Sequence, residues 1–249
     1  MTVDIKIYGI HERDFLIEKL KSRLNLSDND ILYDDREKRG SCLYTLEKAA
    51  MAPMPDDLTH RLVMPDDMIV CDDFYTVINK IIHAHPDKII CLFPYAYRTH
   101  ESEYTYEPNT CPYVRSNGLI AGNGLIFPVQ TLESMFNWIH EEHPDDFNDY
   151  RSEFALRGWL RHSHITMVNT IPAPVQHIGD DYGSYLPYLV TENRKTGYFR
   201  QDCLTDVDWE NQNVMDFPGY DYSFKGIMRD YVLSGRGHKF DKNLRPRKR

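Results

Sequence analysis

Apolar runs of strand length alternate with amphipathic stretches of helix length through the first 94 residues of the chain. Residues 4–8 read as a short strand. Residues 11–24 then carry Phe15, Leu16, Leu20 and Leu24 at helical spacing, until the Asn- and Asp-rich stretch 25–30 breaks the pattern. A second strand is predicted at 31–33 and a second helix at 40–50. A third strand at 61–64 is stopped by Pro65, which has no N–H to offer a neighbouring strand. A helix over 73–84, with Asp73 near its start, and a buried strand over 88–93 ending at Pro94 complete the series. Strand–helix alternation of this kind predicts a mostly parallel sheet covered by helices on both faces.

Periodicity is lost over 95–117, where Tyr, Thr, Glu and Pro accumulate in a stretch too long for an ordinary connection, so a functional loop is expected. Regular elements resume with a strand over 118–127 that contains Gly122 and Gly124. A helix over 128–141 opening with Pro128, a helix over 149–159 and a last strand over 164–168 follow. Beyond 176–179 the chain is tyrosine-rich and irregular. His83 and His85, at the end of a helix and pointing in different directions, read as surface residues.

Composition narrows the class. A chain of 249 residues, 41% hydrophobic and 12% aromatic, is long enough for one large α/β domain with a C-terminal extension. It lacks the roughly 18 to 20 uninterrupted apolar residues of a membrane span, and no basic segment leads into an apolar run at residues 1–10, so a cytoplasmic location with no membrane partner is expected. The five cysteines are odd in number, far apart and without a C-x-x-C pair, as for reduced, mostly buried thiols. Net charge is −9, but residues 236–249 hold seven Lys or Arg against Asp241, which makes that segment +6 and leaves −15 on the rest. A basic tail on an acidic body suits nucleic acid or an anionic surface, and a solvated tail with no partner has the same composition.

The candidate chemistry centres on Asp66 and Asp67. Other Asp-Asp pairs occur at 34–35, 56–57, 72–73, 145–146 and 180–181, but this one directly follows an apolar strand. The carboxyl ends of strands in an open α/β sheet form the crevice in which ligands bind. Two adjacent carboxylates there call for a cation, and a hard ion such as Mg2+ or Mn2+ suits carboxylate and phosphate oxygens together.

The segment from His60 to Phe74, with Asp66 and Asp67 at its centre, resembles the strand and acidic motif of GT-A glycosyltransferases, especially small ones from bacteriophage genomes. The resemblance implies a Rossmann-like GT-A catalytic domain over 1–179, with a donor-binding half 1–94 and an acceptor-side half 95–179. An extension or lid over 180–235 and the basic tail 236–249 would follow. It implies a nucleoside-diphosphate sugar, by default a uridine diphosphate sugar, as donor, and Mn2+ or Mg2+ as cofactor. Asp67 and His177 are the metal ligands so implied, and Asp66 contacts ribose or sugar; Asp-Asp-Met departs from the commoner D-x-D spelling. Tyr8, Ile10, Asp34, Asp35 and Arg36 correspond to the strand ends that recognise base and ribose. The stretch 148–158 resembles the helix start bearing the acceptor-side acid, which makes Asp149 the candidate base and Asp146 its alternative. His177 lies in Pro-Val-Gln-His-Ile-Gly, where Gly179 would let the backbone approach phosphate closely.

Two features bear on the acceptor: the loop 95–117, with Tyr97, Arg98 and Arg115 as candidate contacts beside Asn123 in the next strand, and the basic tail. Aromatic residues interleaved with arginine can stack an extruded base and grip its backbone. With the resemblance to phage enzymes this points to a hydroxymethylated pyrimidine in DNA, modified in the cytoplasm of an infected bacterial host. A glycan or protein acceptor is the alternative, since sugars also stack on tyrosine. Two further classes remain open: a non-catalytic binding module, and a phosphohydrolase or nuclease using Asp66, Asp67 and His177.

Overall fold

In a computed structural model, which describes residues 1–37, 42–94, 111–115, 123–142, 152–179, 199–201 and 206–216, the predicted alternation is present. Strand β1 (Val3–Gly9) leads through a 3-10 turn at His11–Arg13 into helix α1 (Asp14–Leu24). β2 (Ile31–Tyr33), α2 (Leu43–Ala50), β3 (His60–Pro65), β4 (Met68–Val70), α3 (Phe74–Ala84) and β5 (Ile90–Cys91) follow. The later elements are β6 (Tyr113–Arg115), β7 (Leu125–Pro128), α4 (Val129–Glu142), α5 (Ser152–His162), β8 (Val168–Thr170), β9 (Val175–His177) and β10 (Met215–Asp216).

Among the described residues, eight strands form one sheet in the order β10-β6-β8-β5-β7-β3-β1-β2, and β4 and β9 pair separately. The sheet is mixed. β1 runs parallel to β2 and β3, as do β5 with β8 and β6 with β10; β7 is antiparallel to both β3 and β5, and β6 to β8. Gly124, at a positive φ of 65°, immediately precedes β7, which runs from Leu125 to Pro128. Pro128 therefore closes β7, and α4 begins at Val129.

Alternation along the strands sends side chains to opposite faces. Leu62 and Met64 of β3 and Ile126 of β7 join Ile17, Leu20 and Leu24 of α1 and Val77, Ile78 and Ile81 of α3 in one core. Val63, Leu125 and Phe127 join Leu46 of α2, Leu132 and Met135 of α4, and Leu156 and Leu160 of α5 in the other. Helices thus cover both faces, as the alternation predicted. Part of the stretch expected to be an irregular extension returns to the body: Trp209 is buried in the first core, where its carbonyl accepts from the Tyr113 hydroxyl at 2.6 Å. His85 is also buried, against the expectation for a surface histidine, because the chain turns at the end of α3 and lays the ring edge-on against Tyr113 at 4.2 Å. Among the described residues, Cys42, Cys71, Cys91 and Cys111 form no disulfide, and no helix is long and apolar enough to cross a membrane.

Candidate functional site

Parallel strands β2, β1 and β3 lie side by side, so their carboxyl ends at Tyr33, Gly9 and Pro65 open on one edge of the sheet. Asp66 and Asp67 form the two-residue turn after Pro65. From that turn β4 leaves the main sheet and pairs antiparallel with β9, with Met68 opposite His177. The Ile178 N–H then donates to the Asp67 carbonyl at 2.8 Å, which fixes a late segment of the chain beside the acidic turn.

Four side chains meet there: Asp66, Asp67, Arg13 and His177, only 1%, 4%, 4% and 2% exposed. Arg13, at the N-cap of α1, donates through Nη1 to Asp66 Oδ1 at 2.9 Å and to Asp67 Oδ2 at 2.7 Å. The Ile10 N–H donates to Asp66 Oδ2 at 3.1 Å. His177 Nε2 is 3.2 Å from Asp67 Oδ2, while Nδ1 of the same ring is buried without a hydrogen-bond partner among the described residues. Two glycines make room for this cluster. A Cβ on Gly9 would overlap Asp66 Oδ2, and one on Gly179 would overlap Asp67 Oδ2 and come within 2.9 Å of His177 Cε1. The close approach that Gly179 permits is thus taken up by the Asp67 carboxylate, where the sequence suggested a phosphate.

Burial, and then the neighbouring Asp67, raise the pKa of Asp66 against the pull of Arg13 and the Ile10 N–H. Arg13 is raised too: burial alone would lower it, but attraction to Asp67 and Asp66 outweighs that. Both directions follow from one guanidinium serving two acids. Arg13 gains from each carboxylate, whereas each carboxylate still faces the other.

The 3.2 Å between Asp67 Oδ2 and His177 Nε2 is that of an imidazole–carboxylate hydrogen bond, and among the described residues no group of three or more His, Cys, Asp or Glu is arranged to hold a metal ion. With Nε2 facing the Asp67 carboxylate and Nδ1 buried without a partner among the described residues, the proton on a neutral His177 belongs on Nε2, because a buried Nδ1–H would have no acceptor. Asp66 is the less available carboxylate, since the Ile10 N–H holds one of its oxygens and Arg13 the other.

The other expected donor contacts gather at the same edge. The Asp34 N–H donates to the Gly9 carbonyl at 2.9 Å, and buried Asp34 takes a fork of hydrogen bonds from Arg36 at 2.8 and 2.7 Å. Arg36 lies over the Tyr44 ring at 4.3 Å, and His11 stacks on Tyr33 at 3.9 Å. Asp35 is exposed beside His11. Tyr8 points into the core with Leu43 and Leu46, and Ile10 serves the site through its backbone.

Acceptor residues divide. Asn123 precedes β7, whose first residue pairs with Val63, so it lies at the crevice edge. Arg115 is exposed at the end of β6, opposite Val168 at the start of β8, and therefore lies at the other edge of the sheet with β8, β5 and β7 between β6 and β3. Asp146, Asp149, Tyr97 and Arg98 lie outside the described residues, as do most of the loop and the basic tail.

Arg13 is the site residue that the sequence reading missed. A signal was present: helix starts favour acids and small polar caps, and a cation there opposes the helix dipole unless a tertiary partner compensates. The molecule so described is an α/β protein with a mixed, doubly covered sheet and a buried acid, imidazole and guanidinium cluster at its strand ends. No protein-family model matches the chain, and no curated protein matches it either.

Proposed function

We propose that this chain is a metal-dependent glycosyltransferase that moves a sugar from a nucleoside-diphosphate sugar, a uridine diphosphate sugar by default, to a hydroxyl acceptor. The observation that carries the reading is the meeting of Asp67 and His177. The sequence resemblance named these two as ligands of one ion, and they lie 3.2 Å apart at the end of the sheet where α/β folds bind nucleotides. Asp67 and His177 would hold Mn2+ or Mg2+, which neutralises charge on the departing diphosphate. Asp66, held by the Ile10 N–H, buttresses the turn that presents Asp67. Asp34 and Arg36, at the end of β2, are placed to recognise the nucleoside. Asp149, with Asp146 as alternative, is the proposed base for the acceptor hydroxyl. The proposed acceptor is a hydroxymethylated pyrimidine in DNA, from the aromatic and arginine-bearing loop and the basic tail; a glycan or protein acceptor is the alternative.

Thermal melting with a panel of sugar nucleotides, with and without Mn2+, tests the class. A ligand at 100 times its Kd stabilises by about 2.7 kcal/mol, and the reading expects protection by a nucleoside-diphosphate sugar only when Mn2+ is present. Protection without slow donor hydrolysis would indicate a binding module. Cleavage of simple phosphoesters with no donor preference would indicate a hydrolase.

A further inference from the structure

We propose that the cavity between α1 and the β4–β9 pair binds a singly charged aliphatic anion, a medium-chain carboxylate, with its chain against apolar walls and its head on Lys19. The cavity measures about 220 Å3, and Arg13, Asp66, Asp67 and His177 are not among the residues that line it. Leu16 and Leu20 come from α1, Met68, Ile69 and Val70 from β4, and Ile178 from just past β9; all six are buried or half-buried. The polar lining residues, Lys19, Arg23 and Gln201, are exposed, which puts apolar surface inside and the polar groups at the rim. Helical spacing explains the division. Leu16 and Leu20, and likewise Lys19 and Arg23, lie four residues apart, so α1 presents an apolar row beside a cationic one.

The two cations at the rim are not equivalent. Arg23 is paired with Asp72, and Gln201 Nε2 reaches the Val70 carbonyl at 3.2 Å and the same Asp72 carboxylate at 3.5 Å, so that side of the rim is satisfied within the protein. Lys19 has no carboxylate partner among the described residues; its ammonium lies 5.9 Å from the centre of the exposed Phe15 ring. One uncompensated ammonium suits one negative charge, which favours a carboxylate over a phosphate monoester with its nearly two charges. On its flexible stem the ammonium can follow a head group at the mouth while its methylenes lie along the wall. Volume sets the chain length. At about 30 Å3 per water-sized group, the cavity of about 220 Å3 holds roughly seven such groups, the chain behind the carboxylate of octanoate.

The test is a methyl NMR titration of the full chain, labelled at Ile, Leu and Met, with hexanoate, octanoate, 1-octanol and octylammonium. Octanoate is expected to shift the methyls of Met68, Ile69 and Ile178 and to bind roughly tenfold more tightly than hexanoate, since each buried methylene contributes about a factor of four. It should also bind several-fold more tightly than octanol. K19E reverses an exposed rim charge and leaves the walls intact, so it should prefer octylammonium to octanoate; K19Q should bind octanoate and octanol alike. If the parent binds octanol as well as octanoate, the cavity takes any apolar group, a partner protein's side chain included, and the carboxylate assignment is overturned. Equal octanoate affinity in the parent, K19E and K19Q overturns it too, because the head then lies elsewhere. So does the absence of octanoate shifts at those three residues in the parent. None of these titrations contains Mn2+ or a sugar nucleotide, so their outcome is independent of the proposed transfer activity.

Discussion

Asp67 Oδ2 accepts from Arg13 at 2.7 Å and lies 3.2 Å from His177 Nε2, so one carboxylate oxygen faces both a guanidinium and an imidazole, and the proposed ion would have to share it. Changing Asp67 to Asn removes a charge from a buried acid pair and leaves Arg13 matched one-to-one with Asp66. The fold should therefore survive, with a melting temperature within a few degrees of the parent, while Mn2+-dependent donor binding falls by at least about tenfold. Calorimetric titration with Mn2+ and UDP checks this; parent-like affinity in D67N would remove Asp67 from the site. His177→Ala should weaken Mn2+ and donor binding together and recover part of its activity in excess Mn2+, since a lost ligand costs affinity before chemistry. A lower melting temperature with unchanged kinetic constants would make His177 a core residue only. The pair Asp67 and His177 was legible in the sequence because each lay in a recognisable segment. Arg13 was not, because its role depends on where the start of α1 falls relative to the turn after β3, and that relation exists only once the sheet has formed.

At the level of elements, the two-stranded pairing of β4 with β9 brings the two halves of the site together, and Gly179 at its end has no space for a side chain. Gly179→Ala should push the Asp67 carboxylate and the His177 ring out of position at once. Overpacking of this kind costs about 1 to 3 kcal/mol, and metal affinity should fall further than stability. Denaturant melts set beside Mn2+ titration measure the two losses; a variant with normal metal affinity would contradict the role given to the pairing. β1, β2, β3, α1 and α3 were readable to within a few residues, since each carries a strong apolar repeat or a clear breaker. β4, β6 and β9 were not, because each lies in a stretch with no clear apolar period or breaker of its own and owes its strand character to a partner distant in sequence. The reversal at β7 escaped for the same reason: the apolar pattern of a strand does not record its direction.

Across the whole molecule, distant segments share one core, and both pH and truncation should reveal it. Burial, then Lys88, lowers the pKa of His85 below its ordinary 6.5. The unfolded chain therefore binds that proton more readily, so the stabilising contribution is full above about pH 6.5 and is lost as pH falls through the lower folded value. His85→Phe should flatten the acid limb of a stability–pH profile by up to one proton; an unchanged slope would show that His85 does not contribute to it. Trp209→Ala should cost about 3 to 5 kcal/mol, the usual range for a buried tryptophan, because Trp209, with Val207 packed beside it, belongs to the first core. Loss of under 1 kcal/mol in a denaturant melt would mark that segment as an appendage. The central claim is metal-dependent sugar transfer at Asp67 and His177, and product mass tests it most directly. The protein is mixed with a panel of sugar nucleotides, Mn2+ and DNA containing hydroxymethylated pyrimidine, in parallel with glycan and peptide acceptors. The account predicts an acceptor heavier by one sugar residue, formed with Mn2+ and absent both with chelator and with D67N. Intact acceptors across the whole panel, from protein shown to bind Mn2+ and donor, would contradict it.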